Sequence, residues 1–227
     1  MTLDANGTGF IYLHGFASSP GSAKARVFQE RFRARSLDLL IPDLAGGDFE
    51  HLTLTRQVEC VTALIDRGAC KEVGVIGSSM GGYLAALVAE QLPEVKALYL
   101  MAPGFGFLRR WRGTMGWDAG VKMPGKIQVF HYGFNEDRPL STALFVDAER
   151  WERTPLRRAV PTRIVHGIHD DTVPVAESRE YARTRPWCRL KELDADHGLV
   201  DAAGWMADDC MAFFSECGLL SEIDGAC

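Results

Sequence analysis

No stretch of this sequence is apolar for long enough to cross a bilayer, and basic residues are not in excess. The 227 residues include 25 Lys and Arg against 30 Asp and Glu, a formal net charge of -5. There is no positive field to hold a phosphate backbone, so nucleic acid is not an expected partner. C-x-x-C pairs and compact zinc spacings are also missing. The six cysteines are scattered at Cys60, Cys70, Cys188, Cys210, Cys217 and Cys227, and a disulfide framework is not expected in a chain of this length. Cys60, Cys188, Cys210 and Cys217 stand among apolar residues and read as small core residues. The six histidines show no metal-ligand spacing, so no metal site is expected. Met1 to Thr8 has neither the charged nor the apolar region of a secretory signal. Internal repeats and low-complexity tracts are absent. These absences leave a soluble cytoplasmic protein with no membrane span as the expectation.

What is present is a regular alternation of short apolar runs and amphipathic segments. Hydrophobic residues make up 47% of the chain, enough for one sizeable core. Phe10–Leu13, Leu37–Leu44, Val73–Gly77, Val95–Pro103, Thr162–Gly167 and Arg189–Leu193 read as strands. Ala23–Arg35, Leu54–Arg67, the run from Tyr83, Val175–Arg185 and Gly204–Cys217 read as helices between and after them. Strand–helix alternation predicts an α/β fold, a parallel sheet wound on both faces by right-handed crossovers. Ligands then bind beyond the carboxyl ends of the strands.

One stretch organises the chain chemically. Gly77-Ser78-Ser79-Met80-Gly81, between a strand and a helix, matches G-x-S-x-G, the turn that lifts a serine above such a sheet. The turn is so tight that its glycine positions have no room for a Cβ. Register selects Ser79 over Ser78, whose flanking small positions would be held by Ile76 and Met80. A serine hydroxyl needs a base, and the base an orienting acid. His197, in Asp194-Ala195-Asp196-His197-Gly198 after the last strand, is the expected base. Asp170, in His166-Gly167-Ile168-His169-Asp170-Asp171-Thr172-Val173-Pro174, is the expected acid, with Asp171 as its competitor. The order Ser79, Asp170, His197 is the nucleophile–acid–base order of α/β-hydrolases. Backbone amides of Met80 and Phe16 are expected to hold an oxyanion, and Gly15 lets that loop approach closely. His14 is expected to structure the loop. His166 and His169 read as residues surrounding Asp170.

Tyr12-Leu13-His14-Gly15-Phe16, with Ser18-Ser19-Pro20, Ser22-Ala23-Lys24 and Gly77–Tyr83, resembles the small bacterial YqiA/YcfP-type serine esterases of the α/β-hydrolase superfamily. The similarity is clearest from about Phe10 to Met101. It implies a serine hydrolase of carboxylic esters without a cofactor. It also implies the α/β-hydrolase fold lacking its first two strands: six parallel strands in the order 2-1-3-4-5-6, with helices on both faces. The core is expected at 1–103 and 161–227, with a cap insertion at 104–160. That insertion is longer than in the small esterases and carries many aromatics. Phe105, Phe107 and Trp111 are expected, with His14 and Gly15, to meet the substrate. Ile127–Tyr132 alternates like a strand, and Asp147–Trp151 reads as helical. Arg109, Arg110 and Arg112 read as a solvated face.

The function expected from these residues is hydrolysis of small-molecule esters of short to medium acyl chains through an acyl-enzyme. Two other reactions served by the same triad stay open, thioester and carbon–carbon bond hydrolysis. A receptor that keeps the fold without turnover is the alternative outside enzymes.

Overall fold

In the computed structural model, residues 7–117 and 121–220 are described; the N-terminal stretch before Gly7, three residues of the expected cap and Cys227 lie outside them. The elements, in chain order, are β1 (Thr8–Leu13), α1 (Ala23–Ala34), α2 (Leu54–Gly68), β2 (Glu72–Ser78), α3 (Met80–Gln91), β3 (Val95–Met101), α4 (Phe107–Thr114), β4 (Lys126–His131), β5 (Glu136–Ser141), α5 (Ala143–Glu152), β6 (Thr162–Gly167), α6 (Val175–Arg183), β7 (Cys188–Leu193) and α7 (Ala203–Glu216). Capping follows local chemistry. Ser22 and Thr53 accept backbone N–H groups of the first turns of α1 and α2, donors that a helix cannot satisfy internally.

Five strands form one parallel sheet in the order β1-β2-β3-β6-β7. Alternation in each strand feeds two layers. In β1, Ile11 and Leu13 join one apolar cluster, with residues of α2, α3 and α5. Phe10 and Tyr12 join the other, with Phe28 and Phe32 of α1 and Met206, Cys210 and Phe214 of α7. The sheet is therefore covered on both faces, as its nearly continuous apolar strands require. Among the described residues no helix is long and apolar enough to cross a membrane.

The expected sixth strand, Leu37–Leu44, is reduced to a single bridge between Leu40 and Ile11. It lies on the outer side of β1, where the order 2-1-3-4-5-6 requires it. Leu40 N–H donates to Phe10 O at 3.0 Å, and Tyr12 N–H to Leu40 O at 2.8 Å. The next ladder donor would be the amide of residue 42, and Pro42 has none. A proline two residues on thus stops the edge strand after one pair.

Between β3 and β6 the chain forms α4, an antiparallel β4–β5 hairpin and α5. The expected strand and helix of this segment are present, and α4 and β5 add to them. Leu144, Phe145, Ala148 and Trp151 of α5 are buried in the α2–α3 layer. Trp151 Nε1 donates to Thr55 Oγ1 at 2.9 Å, and Thr55 N–H to Asp147 Oδ2 at 2.9 Å. The hairpin is held by Tyr132 N–H on Ala17 O at 2.8 Å and Ser141 N–H on Glu50 O at 2.7 Å.

The return to the sheet is anchored by Arg158. Its guanidinium donates to Ala89 O and Leu92 O at 2.6 Å, Val95 O at 2.8 Å and Pro93 O at 3.0 Å. These carbonyls end α3 and begin β3, where no intrahelical donor remains. Arg158→Ala is expected to lower unfolding free energy by about 3 kcal/mol, and Arg158→Lys by roughly half as much, because an ammonium cannot span four acceptors. Urea denaturation checks both values; equal losses would show that the fork geometry contributes nothing.

Candidate active site

The carboxyl ends of the strands bring the singled-out loops together. Leu13 pairs with Gly77, Ser78 with Met101 and Gly167 with Leu193. Each loop that follows starts from the same edge. At the end of β2 the glycines are required by close approach. A Cβ on Gly77 would lie 2.5 Å from Gly81 O, and one on Gly81 would lie 2.2 Å from Leu13 O. Both obstacles are backbone and cannot rotate away. Between the glycines, Ser79 adopts φ 53° and ψ -121°, a region costly for a residue with a side chain.

Ser79 Oγ lies 3.0 Å from His197 Nε2, and His197 Nδ1 lies 2.7 Å from Asp170 Oδ2. A carboxylate only accepts, so Nδ1 carries the proton and Nε2 presents its lone pair to the serine hydroxyl. Ser79 is half-buried, the His197 side chain is 25% exposed, and the Asp170 side chain is fully enclosed. His197 does not pair with its neighbouring aspartates: Asp194 takes His169 Nε2 at 2.7 Å, and Asp196 takes Leu199 N–H at 3.2 Å. Asp171 is exposed and accepts from Thr172 Oγ1. Geometry therefore separates the two competing aspartates. His169 is exposed and turned to Asp194, not to Asp170.

Asp170 is saturated with donors. Oδ1 accepts Thr172 N–H at 2.9 Å and Val173 N–H at 2.7 Å. Oδ2 accepts from His197 and, at 3.0 Å, from His166 Nε2. Burial works to raise the carboxyl's pKa, but the bonds from His166, His197 and the Val173 amide outweigh it and hold it well below the usual carboxylate range. Lys24, on the first turn of α1, is a neighbour that sequence reasoning passed over. Burial pushes its ammonium down to about 8, while Asp170 and Asp196 act to raise it. Its only sequence signal was its place in the Ser22-Ala23-Lys24 run.

Among the described residues, the amides of Phe16 and Met80 have no acceptor. Gly15 brings the Phe16 loop against the turn, its Cβ position lying 3.3 Å from Ser79 Cβ. Two free N–H groups thus flank the serine. The expected substrate contacts divide. The Phe16 ring meets Phe107 at 5.9 Å and Trp111 at 5.2 Å between centroids. Beside them a cavity of about 360 Å³ is lined by Phe107, Trp111 and Pro174 together with the polar Arg110, Thr114, Asp171 and Thr172. Phe105 turns away, stacking on Tyr181 at 4.3 Å and touching Tyr83. His14 is buried, with Nδ1 on Gly15 O at 3.0 Å and Nε2 accepting Leu44 N–H at 3.3 Å. Both its nitrogens are used to shape the loop, and burial lowers its pKa. Arg110 and Arg112 are paired with Glu177 and Glu149 rather than free. Among the described residues no group of three or more His, Cys, Asp or Glu side chains is arranged to hold a metal ion.

A family model covers residues 9–214, and its description is the uncharacterised protein family UPF0227. The chain belongs to this family. Against individual proteins, the UPF0227 chain is 38% identical over 100 residues to a Mycoplasma pneumoniae protein carrying the provisional name esterase/lipase 2. The match spans 41% of this chain and 37% of that protein's length, so the two share only part of their sequence. Among solved structures, Est1E from Butyrivibrio proteoclasticus, in its ferulic acid complex, superposes with a TM-score of 0.78 at 19% identity, over 96% of this chain and 94% of that one. Mouse alpha/beta hydrolase domain-containing protein 10 gives 0.76 at 20% identity, over 97% and 93%. The fold is that of the α/β-hydrolases, with the edge strand reduced as described.

The depressed Asp170 carboxyl has a consequence for stability. Its folded-state pKa lies below the unfolded value, so its stabilisation is fully present above the ordinary carboxylate range, begins to decline there and is lost as pH falls through the lowered folded-state value. Asp170→Asn is therefore expected to melt below the wild type near neutral pH, with the gap narrowing between about pH 5 and pH 3. Calorimetric melting across that interval checks this; a gap that stays constant would mean the carboxylate charge is not what stabilises the loop.

Proposed function

We propose that the protein is a serine hydrolase of carboxylic esters that works through an acyl-enzyme. The observation that carries this reading is the continuous chain Ser79 Oγ, His197 Nε2, His197 Nδ1 and Asp170 Oδ2, with separations of 3.0 and 2.7 Å. The sequence similarity to a named esterase/lipase supports the same class.

In this mechanism His197 Nε2 accepts the Ser79 proton as Oγ attacks the ester carbonyl. Asp170 keeps Nδ1–H pointing inward and stabilises the imidazolium that forms. The carbonyl oxygen becomes an oxyanion held by Phe16 and Met80 N–H, which need no reorganisation because they are free beforehand. His197 then passes its proton to the departing alcohol. Water, deprotonated by the same nitrogen, attacks the acyl-Ser79 carbonyl. Collapse of the second oxyanion releases the acid and restores the serine.

Residues 104–160 contribute as a cap in this reading. Phe107 and Trp111 of α4, packed against the Phe16 ring, form the apolar wall for a short to medium acyl chain in this reading. Phe105 is left out of the substrate wall because its ring is spent on Tyr181.

A fluorophosphonate probe is expected to label Ser79, with labelling absent in Ser79→Ala and turnover reduced about a thousandfold or more. Mass spectrometry of the adduct checks the site, and an adduct on another residue would displace Ser79. A panel of p-nitrophenyl esters and acyl thioesters separates the leaving-group classes. No turnover of any member, with retained binding, would favour a receptor. Trp111→Ala should raise the ratio of kcat/KM for long over short acyl chains by about tenfold. An unchanged ratio would remove α4 from the acyl pocket.

A further inference from the structure

His166 is completely buried at the end of β6, and both ring nitrogens are engaged. Nε2 lies 3.0 Å from Asp170 Oδ2 and 2.8 Å from Val173 O. Both of these atoms only accept, so Nε2 must carry a hydrogen, shared between them. Nδ1 lies 2.7 Å from Ser178 Oγ. Ser178 is fully buried in α6, and the ring is the partner its hydroxyl has. In the neutral ring every hydrogen finds an acceptor: Ser178 O–H donates to Nδ1, and Nε2–H donates to Asp170. In a doubly protonated ring Ser178 would have to accept, and its own hydrogen would be stranded in the core. The two acceptors at Nε2 therefore set the donor, and Ser178, by donating to Nδ1, keeps the ring in that neutral tautomer.

We propose that His166 is a positioning residue for the Ser79–His197–Asp170 set, and that Ser178 holds it in the donating tautomer. The juxtaposition is two imidazoles on one carboxylate oxygen. His197 faces the serine and moves protons; His166 faces the core and moves none. Asp170 Oδ1 is fixed by two backbone amides, so the plane of the carboxylate is set by its own loop. Oδ2 has no backbone donor. Only the two rings hold it: His197, whose charge changes as Nε2 takes and gives a proton, and His166, which takes no part in the transfer. Without His166, Oδ2 would rest on His197 alone, and Val173 O would lose its donor. The orientation of His197 would then depend on a carboxylate held on one side.

The inference rests on the hydrolase reading, but it can fail separately. The proton between His197 Nδ1 and Asp170 is expected to give a low-field resonance in the proton NMR spectrum, assigned by its loss in Asp170→Asn. This readout needs no turnover. His166→Phe fills the ring volume without a donor, His166→Gln keeps an N–H near the Nε2 position, and Ser178→Ala removes only the tautomer lock. Relative to wild type, kcat for p-nitrophenyl butyrate should fall about a hundredfold in His166→Phe and about tenfold in Ser178→Ala, with KM unchanged in both. His166→Gln should recover most of the loss. The low-field resonance should shift in His166→Phe and Ser178→Ala and return towards its wild-type position in His166→Gln. If His166→Phe does not fold, Ser178→Ala carries the test alone. Wild-type kcat and an unshifted resonance in Ser178→Ala would overturn the proposal. So would His166→Gln losing as much as His166→Phe, which would make ring shape the requirement. A shifted resonance in a protein that no fluorophosphonate labels would instead sustain the positioning role and sink the serine mechanism.

Discussion

At the end of β2 three backbones meet with no side chain between them. Gly77 lies against the Gly81 and Gly82 backbone, and Gly81 lies against the carbonyls of Leu13 and His14. This contact lets α3 start directly over the strand that precedes it, and it leaves Ser79 at the apex. The conformation at Ser79 costs on the order of 1–3 kcal/mol by itself. The surroundings over-determine it. Ser79 N–H donates to Met101 O at 2.9 Å, and Ser79 O accepts from Gly82, Tyr83 and Gly104 amides. Those bonds tie the turn to β3, to its own helix and to the start of the insertion. The serine cannot relax without breaking several of them.

A second constraint follows from where each member of the site sits. Asp170 is inside, His197 at the boundary and Ser79 at the floor of the opening. A buried carboxylate is tolerable only if its acceptor capacity is filled. Here four donors fill it, and they come from its own loop, from His197 and from the core histidine His166. The same saturation that makes burial affordable also makes the acid rigid. Asp171, one residue on, is in water and has none of these donors. A carboxylate in that position could be replaced by solvent.

Much of this was legible in the residues. Apolar alternation located all five strands of the sheet, and the glycine spacing chose Ser79 over Ser78. The limits were physical. Leu37–Leu44 has strand composition, but a ladder needs amides, and Pro42 removes the next one; composition does not count donors. β5 contains Glu136, Asp137, Arg138 and Pro139, a polar run with no apolar alternation to mark a strand. Its pairing with β4 comes from the hairpin, and its proline is tolerated because two-stranded ribbons have free edges. Phe105 and Phe107 are two residues apart and equally apolar, yet only Phe107 reaches the Phe16 loop, because α4 begins between that loop and α6. His14 and His166 were seen as structural histidines. What no sequence shows is which acceptors each nitrogen meets, and for His166 one of them is Asp170.

The insertion between β3 and β6 is built mostly as wall. α5 places Phe145 and Trp151 in the main core, and the hairpin is bonded to the loop that carries the Phe16 amide. Displacing either would expose apolar surface or pull on the Phe16 loop. α4 is different. Leu108 is its one buried residue, and its polar ties are Arg110 to Glu177 and to Thr172 O, together with Arg112 to Glu149. Thr172 is the residue whose amide holds Asp170 Oδ1. The aromatic residues of α4 pack on Phe16 and on Phe145 of α5, and Arg110 tethers the helix to the loop that carries Asp170. Arg110 thus joins α4 to the loop that holds Asp170, through the two sides of the single residue Thr172.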